Sequence, residues 1–356
     1  MSRGPAQTED QPRRYTRRRP ALWRSKRERL ATFLAGSGLG SVVRSLGGWR
    51  GVLALNYHRV GDPRESPFHP DLFSATEDMF DEHLRFLIRH LDVVRPDDIT
   101  SGLDRRGRYL LITFDDGYRD NYDRAFPVLR AHGVPATFFV TTGFLGRARV
   151  SWWDEIAWMV GRSRRDTMPA GPDLPARLGL TPPHRAETRS QLLRVFKTLP
   201  ADRTEGFLDF VATATGSGRC PDAEASALWM TWDMVRELRD SGMVIGGHTV
   251  DHTIMSGLSP HAQERQIRGC AEDLRAQAQM PMRFFSYPVG LPGTFSEHTR
   301  ACLRACGVEL AFGASGGFER VIGFDPLDFR RTNVTLATST HLIAAMATLP
   351  RLFARD

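Results

Sequence analysis

From about residue 50 onward, short apolar runs alternate with amphipathic helical patterns, and this constrains the fold more than any other feature of the chain. The runs at 52–57, 109–114, 136–142, 243–248 and 283–287 are rich in aliphatic, aromatic and β-branched residues and too short for helices, so they read as buried strands. Between them, apolar residues recur at helical spacing. Phe80, Leu84, Leu87 and Ile88 predict a helix over 79–91, and the stretch 122–131 predicts another, ended by Gly133 and Pro135. Further helices are predicted at 232–240, 260–279, 297–306 and 341–349, with short strands near 309–313 and 331–336. Strand–helix alternation over some 300 residues predicts an α/β class, barrel-like, whose chemistry gathers at the C-terminal ends of the strands.

Two regions depart from that rhythm. Residues 151–229 open on Trp152, Trp153, Asp154 and Glu155, pass through a Pro/Arg/Gly-rich loop at 163–185, and continue with helical patterns at 186–198 and 203–215. They read as a helical insertion on the body. Residues 1–47 read as a basic, flexible N-terminal arm, leaving 48–356 for the barrel. Ten Lys and Arg against three acidic residues within 1–30 account for the whole formal charge of +7. The body is therefore neutral, which argues against a specific nucleic-acid partner, while the arm suits peripheral contact with an anionic membrane. The stretch 30–46 is too broken to span a bilayer and carries no clear signal-peptide pattern. Four cysteines without a CxxC pair demand no disulfide framework. These features favour a cytoplasmic location or one peripheral to the cytoplasmic membrane.

Three motifs fall at predicted strand ends. In Thr113-Phe114-Asp115-Asp116-Gly117, two adjacent carboxylates follow an apolar strand, and burying both is costly unless something uses them. Gly117 permits a sharp turn, so one carboxylate can bind a cation while its neighbour stays free as a base; an aspartate turn or helix cap is the plainer alternative. In Gly246-Gly247-His248-Thr249-Val250-Asp251-His252, histidines four apart would share one side of a helical turn, a common way to place two imidazoles on one ion. In Phe284-Phe285-Ser286-Tyr287-Pro288-Val289-Gly290, a strand runs into a loop with free backbone donors.

Together these motifs resemble the polysaccharide deacetylase family, also called the NodB-homology or carbohydrate esterase family 4, over about residues 52–334, least so within 151–229. The resemblance implies a distorted (β/α) barrel and a metal-dependent hydrolase that removes acetyl groups from an acetylated glycan, taken here as N-acetylhexosamine units. It implies Asp115 as catalytic base, and Asp116, His248 and His252 as ligands of a divalent ion. Zinc is the default for such a donor set, with cobalt, nickel or manganese also suited. It further implies an oxyanion and substrate contact around Tyr287, Pro288 and Val289.

The departures from the family pattern concern two roles. Ser286 and Val289 stand where members often carry the Arg and Tyr of Arg-x-Pro-Tyr, and the late Leu-x-His motif is missing. The Phe-x-Tyr-Pro-x-Gly form resembles a branch that includes exopolysaccharide deacetylases. There a later arginine, Arg331 with Arg330 as rival, would orient the base, and the histidine of Asn56-Tyr57-His58 would serve as general acid. A decayed, glycan-binding relative of the same fold is the competing reading. Trp152 and Trp153 are either a stacking platform for sugar rings or a hydrophobic hinge for the insertion. His83, His90 and His132 read as bystanders on helical surfaces.

Overall fold

Period-two alternation sorts the strand side chains into two layers. In β1 (Gly51–Tyr57), Leu53, Leu55 and Tyr57 join the large core under the helices, whereas Val52 and Ala54 join a second cluster inside the sheet's curl. In β2 (Arg108–Phe114), Leu110, Ile112 and Phe114 face the helices, and Tyr109 and Leu111 face inward. The same division holds for β3 (Thr137–Val140), β4 (Val244–Gly247), β5 (Phe284–Ser286) and β6 (Leu310–Phe312), with Phe139, Phe284, Leu310 and Phe312 inside. Each strand is buried on both faces, as parallel sheets covered by helices require.

The structure, a computed structural model, describes residues 26–38, 40, 48–174 and 176–354. The six strands lie side by side in the order β6-β5-β4-β3-β2-β1, all parallel, and β7 (Thr332–Asn333) adds in parallel to the far side of β1. The curl is closed by the segment leading into β7. Phe329 bridges to Phe312 at the β6 edge, while Thr332 and Asn333 pair with Leu55 and Asn56 of β1. The fold is thus a distorted α/β barrel with a single-residue bridge at its seam.

Capped amphipathic helices cover the outside. Glu77–Leu87 begins on Thr76, whose side chain accepts from the Met79 amide, and it buries Phe80, Leu84 and Leu87. It also buries His83 completely, with Nδ1 3.3 Å from the Tyr57 hydroxyl, so this histidine belongs to the core and not to a helix surface. Pro260–Ala278 starts on a Ser259 cap with proline in its first turn and stops where Gln279 adopts a left-handed conformation.

Residues 152–215 form three helices, Trp152–Arg162, Arg185–Thr198 and Thr204–Thr215, and a short antiparallel pair, Thr167–Met168 with Leu178–Gly179. They build a core of their own around Ile156, Met159, Leu192, Leu208 and Val211, continuous with Phe68, Tyr118 and Phe144 from barrel loops. Part of the expected flexible arm is ordered. Lys26–Gly36 is a helix against Thr340–Thr348, where the Glu28 carboxylate accepts from both the amide and the hydroxyl of Ser339. A flexible arm was expected because the stretch is mostly polar with a thin apolar stripe, and the docking contact comes from far along the chain. Residues 1–25, with most of the arm's charge, lie outside the described residues. Among the described residues, no helix is long and apolar enough to cross a membrane.

Candidate active site

The inward-facing positions turn polar where the strands reach their C-terminal ends. Above Val52 and Ala54 comes Asn56, above Tyr109 and Leu111 come Thr113 and Asp115, and above Phe284 comes Ser286. Asn56 and Thr113 are register partners. Into this ring the closing segment inserts Arg331, 1% exposed. Its Nη1 donates to Asp115 Oδ1 at 2.8 Å, to Asn56 Oδ1 at 2.8 Å and to Thr113 Oγ1 at 3.0 Å. Nη2 donates to Asp115 Oδ2 at 2.8 Å and Ser286 Oγ at 2.7 Å, and Nε to the Gly313 carbonyl. This is a bidentate guanidinium–carboxylate pair inside the barrel with every guanidinium nitrogen engaged, the condition under which a buried ion pair is tolerable. Arg330 instead pairs with Glu319 on the outside.

Asp115 also accepts from Asn56 Nδ2 and Ser286 Oγ, both on Oδ2. Oδ1 takes only the Arg331 bond, which leaves it a free lone pair. Burial pushes the Asp115 pKa up, but the Arg331 charge, with His248 behind it, outweighs burial and holds it down to about 2.

Asp116 lies next along the chain yet points to the same cavity, because its own φ of 80° and that of Gly117, 90°, reverse the strand direction. The histidines are not helical. Residues 248–252 form an irregular loop in which Thr249 (φ 67°) and His252 (φ 53°) are left-handed. The Thr249 hydroxyl accepts from the His252 amide, and Gln266 accepts from the amides of Val250 and Asp251. The i, i+4 spacing therefore works here through a tight loop. Left-handed non-glycine residues are strained; of the five among the described residues, Asp116, Thr249, His252 and Val289 belong to the motifs that ring this cleft.

Asp116 Oδ1 lies 3.4 Å from His248 Nε2 and 3.2 Å from His252 Nε2, all buried, and accepts no hydrogen bond. His248 Nδ1 sits 2.7 Å from the Ser286 carbonyl, which can only accept, so Nδ1 carries a proton and Nε2 is the nitrogen turned to the carboxylate. With both rings neutral and proton-free at Nε2, the three atoms can share one cation. The set fits a divalent ion with two imidazoles and one carboxylate, leaving positions for water and substrate. The Trp153 ring packs edge-on against His252 at 4.3 Å, and its Nε1 donates to the Tyr118 hydroxyl, which in turn donates to Asp154. Trp153 therefore ties the 152–215 helices to His252; Trp152, stacked on Phe196, lines both this cleft and a second cavity.

His58 follows the inward series of β1 and lines the same cleft of about 310 Å³ as Asp115, Asp116, His248 and His252. Its backbone is fixed at both ends, the amide by Ser74 Oγ and the carbonyl by Asn121. Val289 also lines the cleft. Tyr287 lines it too, while its ring stacks on Phe295 in the outer core and its hydroxyl donates to the Leu327 carbonyl. Pro288 is not among the residues lining the cleft.

With this geometry in place, comparison with known proteins is decisive at the level of family. The sequence profile of polysaccharide deacetylases matches residues 102–164 and 196–311, half of the chain. The chain belongs to the polysaccharide deacetylase family. YxkH of Bacillus subtilis (strain 168), a polysaccharide deacetylase by name, is 22% identical over 201 residues, 56% of this chain. The match spans only 43% of YxkH. The barrel superposes on Streptococcus pyogenes deacetylase PplD with a TM-score of 0.53 and 16% identity, covering 86% of this chain and 98% of PplD. On IcaB from Ammonifex degensii the values are 0.52 and 21%, covering 84% and 98%.

In this deacetylase-family chain, sequence reasoning overlooked Asn56, Thr113 and Ser286 as members of the network around Arg331 and Asp115. Each is the first polar position in an inward apolar series, a signal that period-two parity could have supplied.

Proposed function

We propose that this protein hydrolyses the N-acetyl groups of hexosamine units in an exopolysaccharide or lipid-linked glycan, with one divalent ion held by Asp116, His248 and His252. The single observation that carries this reading is the trio of buried, mutually facing candidate ligand atoms with the Arg331-bound Asp115 carboxylate beside it. When bound, a divalent ion such as zinc, or cobalt, nickel or manganese, lowers the pKa of a water and polarises a carbonyl.

The chain's own residues supply the rest. Asp115 is ionised throughout the neutral range and accepts the water proton on Oδ1, the oxygen with a free lone pair. A carboxylate held near 2 is a weak base, so it can act only on a water already acidified. Arg331 fixes the plane of that carboxylate from behind. The oxygen of water bonds to the acetyl carbon, and the backbone N–H of Val289 donates to the developing oxyanion. His58 gives a proton to the departing nitrogen as the C–N bond breaks, leaving acetate and a free amine.

Asp115→Asn and His248→Ala separate the roles. Asp115→Asn should bind metal with unchanged stoichiometry while acetate release from N-acetylglucosamine oligomers falls by roughly 10²-fold or more; His248→Ala should lose both. Near-normal turnover by Asp115→Asn would remove the base from this scheme.

A further inference from the structure

Beside the cleft lies a larger cavity of about 1070 Å³ between the insertion and the 251–258 loop. Trp152, Lys197 and His252 line both spaces, so the two are neighbours across those side chains. At about 310 Å³ the cleft is at the lower end of the volumes that small-ligand sites occupy, roughly 300–1,000 Å³. The second cavity is the size of a further site.

Of the charges lining it, exposed Arg147 and Asp222 have no side-chain partner among the described residues but do not line the cleft, and most of the others are spent. Arg149 pairs with Asp251, and Arg219 with Glu155 and Glu205. In the cleft, Arg331 is committed to Asp115. Lys197 differs: it is in the last turn of Arg185–Thr198, at the shared wall, and no hydrogen bond or ion pair engages its ammonium among the described residues. It reaches solvent, but the surrounding concavity strips enough water to pull its pKa down. A cation held this way gains from any anion that arrives with a ligand. The adjacent Trp152–Phe196 stack, rings 4.2 Å apart and nearly parallel, offers a flat apolar surface beside that charge.

We infer that the insertion cavity binds the portion of the glycan next to the acetylated sugar, and that this portion carries a carboxylate or phosphate held by Lys197. The inference rests on the deacetylase reading above and adds to it the substrate class, an anionic glycan. It also gives the insertion a role in substrate choice, since the helix that brings Lys197 to the shared wall belongs to no part of the barrel.

The full-length, metal-loaded protein is assayed for acetate release on three N-acetylated oligosaccharides of equal length. One is neutral, one bears a carboxylate on the sugar next to the acetylated unit, and one bears a phosphate there. The expected result is a kcat/KM ratio of about tenfold in favour of a charged substrate, expressed in KM and reduced at high ionic strength. The carboxylate and phosphate arms identify which anion is preferred. Lys197→Gln should bring the ratio close to one, and Lys197→Arg should retain most of it. A ratio near one in the wild type, or one that Lys197→Gln leaves unchanged, overturns the inference while leaving the deacetylase reading intact. No acetate from any of the three overturns both.

Discussion

Arg331 is the side chain on which the site's electrostatics turn. Replacing it with methionine leaves a buried carboxylate without its partner, a change that costs about 3–5 kcal/mol in other proteins. Chemical denaturation of Arg331→Met should show destabilisation of that order, and Arg331→Lys should recover only part, since an ammonium cannot reproduce the two-pronged contact. The pair also sets an acid limit. Asp115 has a folded pKa of about 2, below its ordinary value near 3.8. Its stabilisation is therefore complete above the unfolded pKa and is lost as pH falls from about 4 towards 2. Wild-type stability should drop over that interval more steeply than that of Arg331→Met; parallel curves would contradict the assignment. His58 offers a different discrimination. A general acid matters when the leaving group is a poor amine and little when it is an acidic phenol, so His58→Ala should lose about 10²-fold on an N-acetyl substrate and far less on an aryl acetate, with metal content unchanged. Equal losses on both would return His58 to a structural role.

Among the elements, the β4 exit decides whether the histidines meet the aspartate. The Gly246-Gly247 pair is there because of packing. A Cβ on Gly246 would come within 2.8 Å of the Phe284 carbonyl and 2.5 Å of the Phe139 ring, and one on Gly247 within 2.8 Å of Cys270 Sγ. The β4 backbone is pressed against β5 and β3, which sets the height at which His248 leaves the barrel. Gly246→Ala should destabilise the fold by about 1–3 kcal/mol and weaken metal binding together, because backbone and ring must both shift. A variant with lowered melting temperature but unchanged metal affinity would show that the loop holds its geometry independently of the strand. The helix Lys26–Gly36 is a comparable case of long-range fixing, as the Ser339 amide at the start of Thr340–Thr348 is satisfied by Glu28, 311 residues earlier.

For the whole molecule, the proposed metal site would couple metal and fold. A cation joining Asp116, His248 and His252 would tie three separate segments together, so chelation should lower the melting temperature as well as abolish turnover, and re-addition of zinc should restore both. Acid should have the same effect. Imidazoles ligate only when deprotonated, and in the absence of an ion burial lowers the His248 pKa but the Asp115 and Asp116 charges outweigh it and raise it. Metal affinity should therefore weaken as pH falls through that raised pKa, measurable by competition with a coloured chelator. Affinity independent of pH between about 5 and 8 would exclude His248 as a ligand.

The order of strands and helices and the strand-end position of the Asp-Asp and His-x-x-x-His pairs were legible in the chain itself. Apolar periodicity and strand-end position are local properties, and the six inward-curling strands appear close to where the pattern places them. The loop geometry of His248–His252 was not legible, since spacing alone cannot distinguish a helical turn from two left-handed residues. Nor could the motif Tyr-Pro-Val-Gly reveal that Tyr287 faces the outer core, a matter of strand parity relative to a neighbour. Arg331 against Arg330 was undecidable from adjacent letters; the seam of the barrel turns one inward and the other out. The sequence by itself determined which residue types the site could use. Tertiary structure alone decided which of them meet, because contacts among residues 56, 115, 248, 286 and 331 depend on how the curled sheet closes, a property held by no segment of the chain in isolation.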